Sequence, residues 1–291
     1  MTDKYHIPAG TKIGSVELAV NDLELMTDFY TSLLGLNLIK QNNKSYSLGA
    51  SGIDKELLIL NERKDLKAPA ANAPGLFHFA LFVPSRNELA KILINLYRRN
   101  VNFDGFANHG VSEAIYLKDP EGNGIEIYSD TQSESWIWNG DKIQMVTEPL
   151  NIDSLLSIIT SNEKLDGFPP ETRIGHIHLK VSSIDKAKKF YNESAGFKIT
   201  QSDYPGALFF AAGNYHHHIG ANTWISKNAP ACDTDTLGLQ KFSVVLPDLL
   251  SLKEISFRLL KDGRPVISQT DSSFITSDLD GIKIEFKTNP L

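Results

Sequence analysis

Ile174-Gly175-His176-Ile177-His178-Leu179-Lys180-Val181 repeats, 161 residues later, the run Ile13-Gly14-Ser15-Val16-Glu17-Leu18-Ala19-Val20. The correspondence continues from Phe29-Tyr30 to Phe190-Tyr191 and from Gly35 to Gly196. A second repeated run starts at Leu76-Phe77-His78-Phe79 and returns at Leu239-Gln240-Lys241-Phe242. Both of these reach a proline, Pro84 or Pro247, just before a helical stretch. Both units then close on a turn and a strand: Asp119-Pro120-Glu121-Gly122-Asn123-Gly124-Ile125-Glu126-Ile127 in one, Asp278-Leu279-Asp280-Gly281-Ile282-Lys283-Ile284-Glu285-Phe286 in the other. Self-similarity at fixed spacing is the signature of a repeat architecture.

Each unit opens with alternating apolar and polar residues, as a half-buried strand does. A stripe of apolar period near 3.6 follows: Leu23, Met26, Phe29, Tyr30 and Leu33 in the first unit, and Ile184, Ala187, Phe190 and Tyr191 in the third. Short strands with Gly and Asn turns complete it. The reading is an α+β fold of four tandem βαβββ modules in two barrel-like domains. Modules one and two cover 10–65 and 75–130, making a domain of 10–130. Modules three and four cover 173–225 and 237–288. Residues 131–172, with Trp136, Trp138, a helix near Ile152–Ser161 and Pro169-Pro170, are too apolar for disorder and read as a connector packed on the surface.

Composition narrows the function. The 291 residues hold 41% hydrophobic and 22% charged positions, ordinary for a globular protein. Net charge is −6 and no basic stretch is denser than Tyr97-Arg98-Arg99, which argues against a nucleic-acid partner. No apolar run reaches the ~18 residues of a membrane helix, and the first residues lack the apolar segment of a signal peptide. The single Cys232 has no partner for an internal disulfide. These point to a cytoplasmic protein with no membrane partner; a homo-oligomer is compatible with them.

Alternation across the strands separates helix-facing from outward residues. Ile177, Leu179 and Val181 face the helix, leaving His176, His178 and Lys180 on the other side. Phe77, Phe79, Leu81 and Val83 face the helix, leaving His78, Ala80 and Phe82. Ile125 and Ile127 face the helix, leaving Glu126 with His78. A lone strand histidine is usually a surface or satisfied core residue. Two at the same register in related units, with a carboxylate ending one unit, predict a metal site of His78, His176 and Glu126. Two imidazoles, one carboxylate and open positions suit Fe(II), with Mn(II) as the alternative. Structural zinc would call for thiolates, and the only cysteine, Cys232, lies elsewhere. Four residues beyond Gly122 lies Glu126, and four beyond Gly213 lies His217, so His217 is expected to face the metal from the opposite side. His216 and His218 read as solvent-exposed strand-end residues, although the parity leaves either open as the facing one. Phe82, Phe209, Phe210 and Trp224 are candidate walls of an aromatic pocket, though such residues are more often core.

The stretch Asn108-His109, Ile115-Tyr116, Asp119-Pro120-Glu121-Gly122, Glu126 carries a specific spacing. With it, Val111-Ser112-Glu113-Ala114, Gly175-His176-Ile177-His178-Leu179 and Tyr215-His216-His217-His218-Ile219-Gly220 resemble the vicinal oxygen chelate superfamily. Within it they resemble the type I extradiol dioxygenases and their bacillary catechol-2,3-dioxygenase branch, over residues 10–288. The resemblance implies Fe(II)-dependent ring cleavage of a catechol by O₂ to a muconic semialdehyde. It sets His78, His176 and Glu126 on the metal ligands, His217 on an acid/base histidine, and His109 and Tyr116 on a pair that binds substrate and oxygen. The chain departs from better-known members in using its middle two modules. Lys241 stands where module four would carry a ligand, which leaves Glu285 structural. Ser15 and Glu17 stand at the matching place of module one, where no second metal is expected. Glyoxalase or thiol-transferase chemistry, and metal-free binding, are the rival readings.

Overall fold

Four helices begin at equivalent side-chain caps. In the computed structural model, which describes residues 5–159, 167–232 and 235–288, Asp22, Ser85, Ser183 and Asp248 each accept a hydrogen bond from the backbone N–H three residues on. Such caps satisfy amide groups that the first helical turn leaves unpaired. Modules two and four carry regular helices, Arg86–Arg98 and Leu249–Lys261. Modules one and three carry a short α-helix that passes into π-helical turns, Phe29–Leu34 and Lys188–Ser194. The wider turn shifts the apolar stripe by one position, so Leu34 is buried where the period of 3.6 had pointed to Leu33.

Within every module the first strand runs parallel to the last. The modules then pair through antiparallel first strands. Module one meets module four along Lys12–Val20 and Gly238–Leu246, inside an eight-stranded sheet. Module two meets module three along Gly75–Phe82 and Arg173–Lys180, inside a nine-stranded sheet. The sheets therefore cut across the expected halves 10–130 and 173–288, and each half contributes one module to each sheet. The physical reason is the edge. A first strand has its own module on one side only, so its other side must find a partner.

One apolar cluster fills the space between sheets and helices, with Tyr30, Phe79, Phe190, Phe210, Phe242 and Phe286 almost fully buried. Each such ring contributes about 1.5–3 kcal/mol relative to exposure. The connector supplies the strand Glu148–Pro149 to the edge of the nine-stranded sheet. Its helix spans Ile152–Leu156, and the rest of the expected Ile152–Ser161 includes Thr160 and Ser161, outside the described residues. No helix among the described residues is long and apolar enough to cross a membrane.

Candidate metal centre

His78 and His176 come from the two central strands of the nine-stranded sheet, and Glu126 from the strand beside Gly75–Phe82. His176 lies opposite Ala80, and Ala80 opposite Glu126, so the three side chains leave one face of the sheet. Ligand atoms of all three lie within 4.8 Å of one another. His78 Nε2 is 3.0 Å and His176 Nε2 3.1 Å from Glu126 Oε2. All three residues are buried.

The charge balance of this cluster is that of a cation site. Burial alone would push the Glu126 carboxyl up, but the His176 and His78 imidazoles outweigh it and hold the group well below the usual carboxylate range. Burial pushes His176 down against the pull of Glu126, keeping a neutral, lone-pair-bearing ring. His78 Nε2, although 3.0 Å from Glu126 Oε2, is not aligned for a hydrogen bond to it, and His176 Nδ1 is buried without a partner. A buried lone pair left unsatisfied costs about 1–3 kcal/mol. At His78 Nε2 a divalent cation would remove that cost, so the donor set fits a divalent metal.

His217 sits across the same cavity, its ring centroid 4.1 Å from that of His176. Its neighbours determine its tautomer. Asp130 Oδ1 lies 3.0 Å from His216 Nε2, and a carboxylate there takes the N–H. The bare Nδ1 of His216 then accepts from His217 Nδ1–H at 2.7 Å. That leaves the Nε2 lone pair of His217 free. His216 and His218, expected as exposed strand-end residues, are buried instead. The segment Tyr215–His218 is covered by Tyr128, Trp136 and Asp130 from module two and the connector. Sequence parity had no access to that cover.

Tyr116 lies beside Glu126 across the strand pair. Its hydroxyl donates to His109 Nε2 at 2.8 Å, while His109 Nδ1–H donates to the Val146 carbonyl at 2.8 Å. A connector residue thus sets the tautomer of His109. All six predicted residues line one cavity of about 230 Å³. Phe209 and Trp224 join its walls, whereas Phe210 is core against Tyr191, and Phe82 lies under the Arg173 guanidinium. Phe77 was expected beneath the helix. It is the extra residue of a β-bulge, where His178 pairs with His78 but Leu179 with Leu76, and this turns it to the cavity mouth.

His178 was missed as a site residue. It lines the cavity, and Asn222 Nδ2 donates to its Nε2 at 3.0 Å. Burial holds it neutral, with its proton on Nδ1. A Cβ on Gly220, directly opposite, would press within 3.0 Å of the ring, so the glycine makes its room. The available signals were the face shared with His176 and the glycine at residue 220.

In the eight-stranded sheet the equivalent positions hold no such donor set. Lys241 Nζ stands 3.3 Å from Glu17 and 3.7 Å from Glu285, an ammonium between two carboxylates.

The Glyoxalase/Bleomycin resistance protein/Dioxygenase superfamily model matches residues 12–127. A catechol-2,3-dioxygenase of Bacillus subtilis (strain 168) is 38% identical over 272 residues, covering 92% of this chain and 94% of that protein. Among solved structures, a Bacillus subtilis protein described provisionally as a dioxygenase superposes with a TM-score of 0.69 at 15% identity, covering 99% of this chain and 87% of that one. Glyoxalase I from Zea mays superposes with a TM-score of 0.58 at 14% identity, covering 96% and 92%. At these identities the two structures speak for the fold alone.

Proposed function

This chain belongs to the Glyoxalase/Bleomycin resistance protein/Dioxygenase superfamily, and from that premise we propose that it is an extradiol dioxygenase that cleaves the ring of a catechol. The observation that carries the reading is the convergence of two imidazoles and one carboxylate within 4.8 Å in an aromatic-walled cavity. The name of the 38% identical relative supports the reaction class. His78, His176 and Glu126 hold the metal, Fe(II) in our reading and Mn(II) as the alternative. When bound, that ion supplies Lewis acidity toward the diol oxygens and the redox chemistry that O₂ insertion needs.

The chain's own residues do the rest. Phe209 and Trp224 provide apolar walls for the ring. His217 Nε2, unprotonated in the tautomer set by Asp130 and His216, accepts the proton of a catechol hydroxyl and returns it as the ring opens. Tyr116 and His109 act as an oriented pair: the imidazole, anchored on Val146, holds the tyrosine hydroxyl at the cavity wall, where its oxygen accepts from a substrate hydroxyl. Both atoms of O₂ end in the muconic semialdehyde, so no external reductant takes part.

The test is anaerobic reconstitution with Fe(II), then oxygen uptake and yellow product formation with catechol under air. Glu126→Ala should lose both metal and activity. Retention of metal and full ring cleavage by that variant defeats the site assignment. Metal binding without oxygen uptake would favour glyoxalase-type chemistry, and absence of any metal binding a carrier role.

A further inference from the structure

The duplication places a basic residue at the head of two first strands, Lys12 in module one and Arg173 in module three, 161 residues apart. The strands Lys12–Val20 and Arg173–Lys180 belong to different sheets but pack together where the sheets meet. Lys12 and Arg173 consequently line one cleft of about 280 Å³, together with Thr11, Asn214, Tyr215 and His218. No carboxylate is among its walls. Among the described residues Lys12 has no ion-pair partner. Arg173 rests with its guanidinium carbon 3.4 Å from the Phe82 centroid, and among the described residues it too has no ion-pair partner. Burial and then the charges of Lys12, Arg173 and Lys287 push the nearby Lys55 ammonium down. A chain of net charge −6 thus keeps a hollow with two basic residues and no acid in its walls, the carboxylate of Asp130 lying behind Tyr215.

Two buried wall residues add donors. Thr11 is 1% exposed, and its Oγ1 has no hydrogen-bond partner. His218, 7% exposed, accepts the Ala212 N–H at Nδ1 (3.2 Å), so the neutral ring carries its proton on Nε2. That N–H has no protein partner among the described residues.

We propose that this cleft is a receptor for one small oxyanion, a phosphate or a carboxylate, clamped between Lys12 and Arg173. A guanidinium offers paired donors that match two oxygens of one anion, and an ammonium adds a compact charge. His218 and Thr11 supply neutral hydrogen bonds from the buried side. His218 adjoins His217, and Arg173 opens the strand that carries His176. A bound anion therefore braces the junction of the two sheets directly behind the metal centre.

The experiment is isothermal titration of the full-length protein, as isolated and after chelation, with inorganic phosphate and separately with succinate at matched chloride ionic strength. We expect saturable one-to-one binding of at least one anion in both preparations. The tighter one identifies the oxyanion class. Lys12→Gln and Arg173→Gln should each weaken binding about tenfold or more, while Lys64→Gln, outside the cleft, leaves it unchanged. Lys12 is exposed, so its variant decides the matter if Arg173→Gln does not fold. Failure of both anions to saturate, or equal affinity in Lys12→Gln, overturns the proposal. The chelated sample separates this outcome from any fault in the metal assignment.

Discussion

Tyr191 Oη donates a 2.9 Å hydrogen bond to Asp278 Oδ2, and both residues are buried. Tyr30 and Asp119 make the same bond at 2.7 Å. Each tyrosine stands on the helix of module one or three, and each aspartate in the closing turn of module two or four. The acidic residue two positions on completes the clasp. Glu121 accepts from the Asn21 and Asp22 amides, and Asp280 from the Ser182 amide. Clasps thus join modules one to two and three to four, while strands join one to four and two to three. The four modules close into a ring of contacts.

A buried acid in this clasp makes stability depend on pH. Burial pushes the Asp278 carboxyl from 3.8 up to about 6, only partly offset by hydrogen bonds from the Asp280 and Ile282 amides and Tyr191. The folded state therefore keeps a proton that the unfolded chain has already released. That contribution is complete below the unfolded value and is lost as pH rises through about 6. Asp278→Asn stays neutral and keeps an oxygen for the two amides. Urea unfolding near pH 4.5 and pH 7.5 should show the wild type losing about 2 kcal/mol relative to this variant. A difference that does not change with pH would remove the buried proton from the account.

Metal loading should be visible without any turnover. A ligand that binds only the folded state at a hundred times its Kd stabilises by about 2.7 kcal/mol. Adding Fe(II) anaerobically, or Mn(II), should raise the melting temperature of the wild type. His78→Ala should abolish the rise, since one of the three donors is gone. An equal rise in that variant would mean the ion sits elsewhere.

Asp130 is predicted to position His217 through His216. Asp130→Asn can present N–H to His216 in place of an acceptor, which reverses the order of donors along the chain. We expect kcat to fall about 10–100-fold, with KM and metal content unchanged. Asp130→Glu should recover part of the loss. Lost metal, or a rise in KM alone, would point to a merely structural role.

The repeat, its strands and the inward His78, Glu126, His176 and His217 were readable because period-2 alternation and a fixed offset are properties of the chain itself, whereas His109 and Tyr116 came only with the family resemblance. Pairing of modules was less so. Nothing local to Lys12–Val20 says whether its free edge meets module two or module four. Phe77 escaped because a bulge breaks the alternation at the residue before His78. His216 and Asp130 escaped for a related reason: they are 86 residues apart, and only the packing of module two on module three joins them.

Gly175, the residue before the proposed ligand His176, tests how the repeat supports the site. A Cβ there would collide with the Tyr128 hydroxyl and lie 2.7 Å from its Cζ. Gly14, its equivalent, is similarly crowded by Ser243 and Val245, which explains a glycine at both places. Tyr128 is fixed in turn: its hydroxyl is 2.7 Å from that of Tyr215, and its ring centroid is 4.9 Å from that of His176. Gly175→Ala must therefore displace Tyr128 or bend the strand beneath His176. Overpacking of this kind costs about 1–3 kcal/mol, and metal affinity should fall with it. Tyr128→Phe removes the nearest atom. Combined with Gly175→Ala it should restore about 1 kcal/mol beyond additivity in a double-mutant cycle, along with part of the metal affinity. Strictly additive losses would show that the glycine is there for another reason.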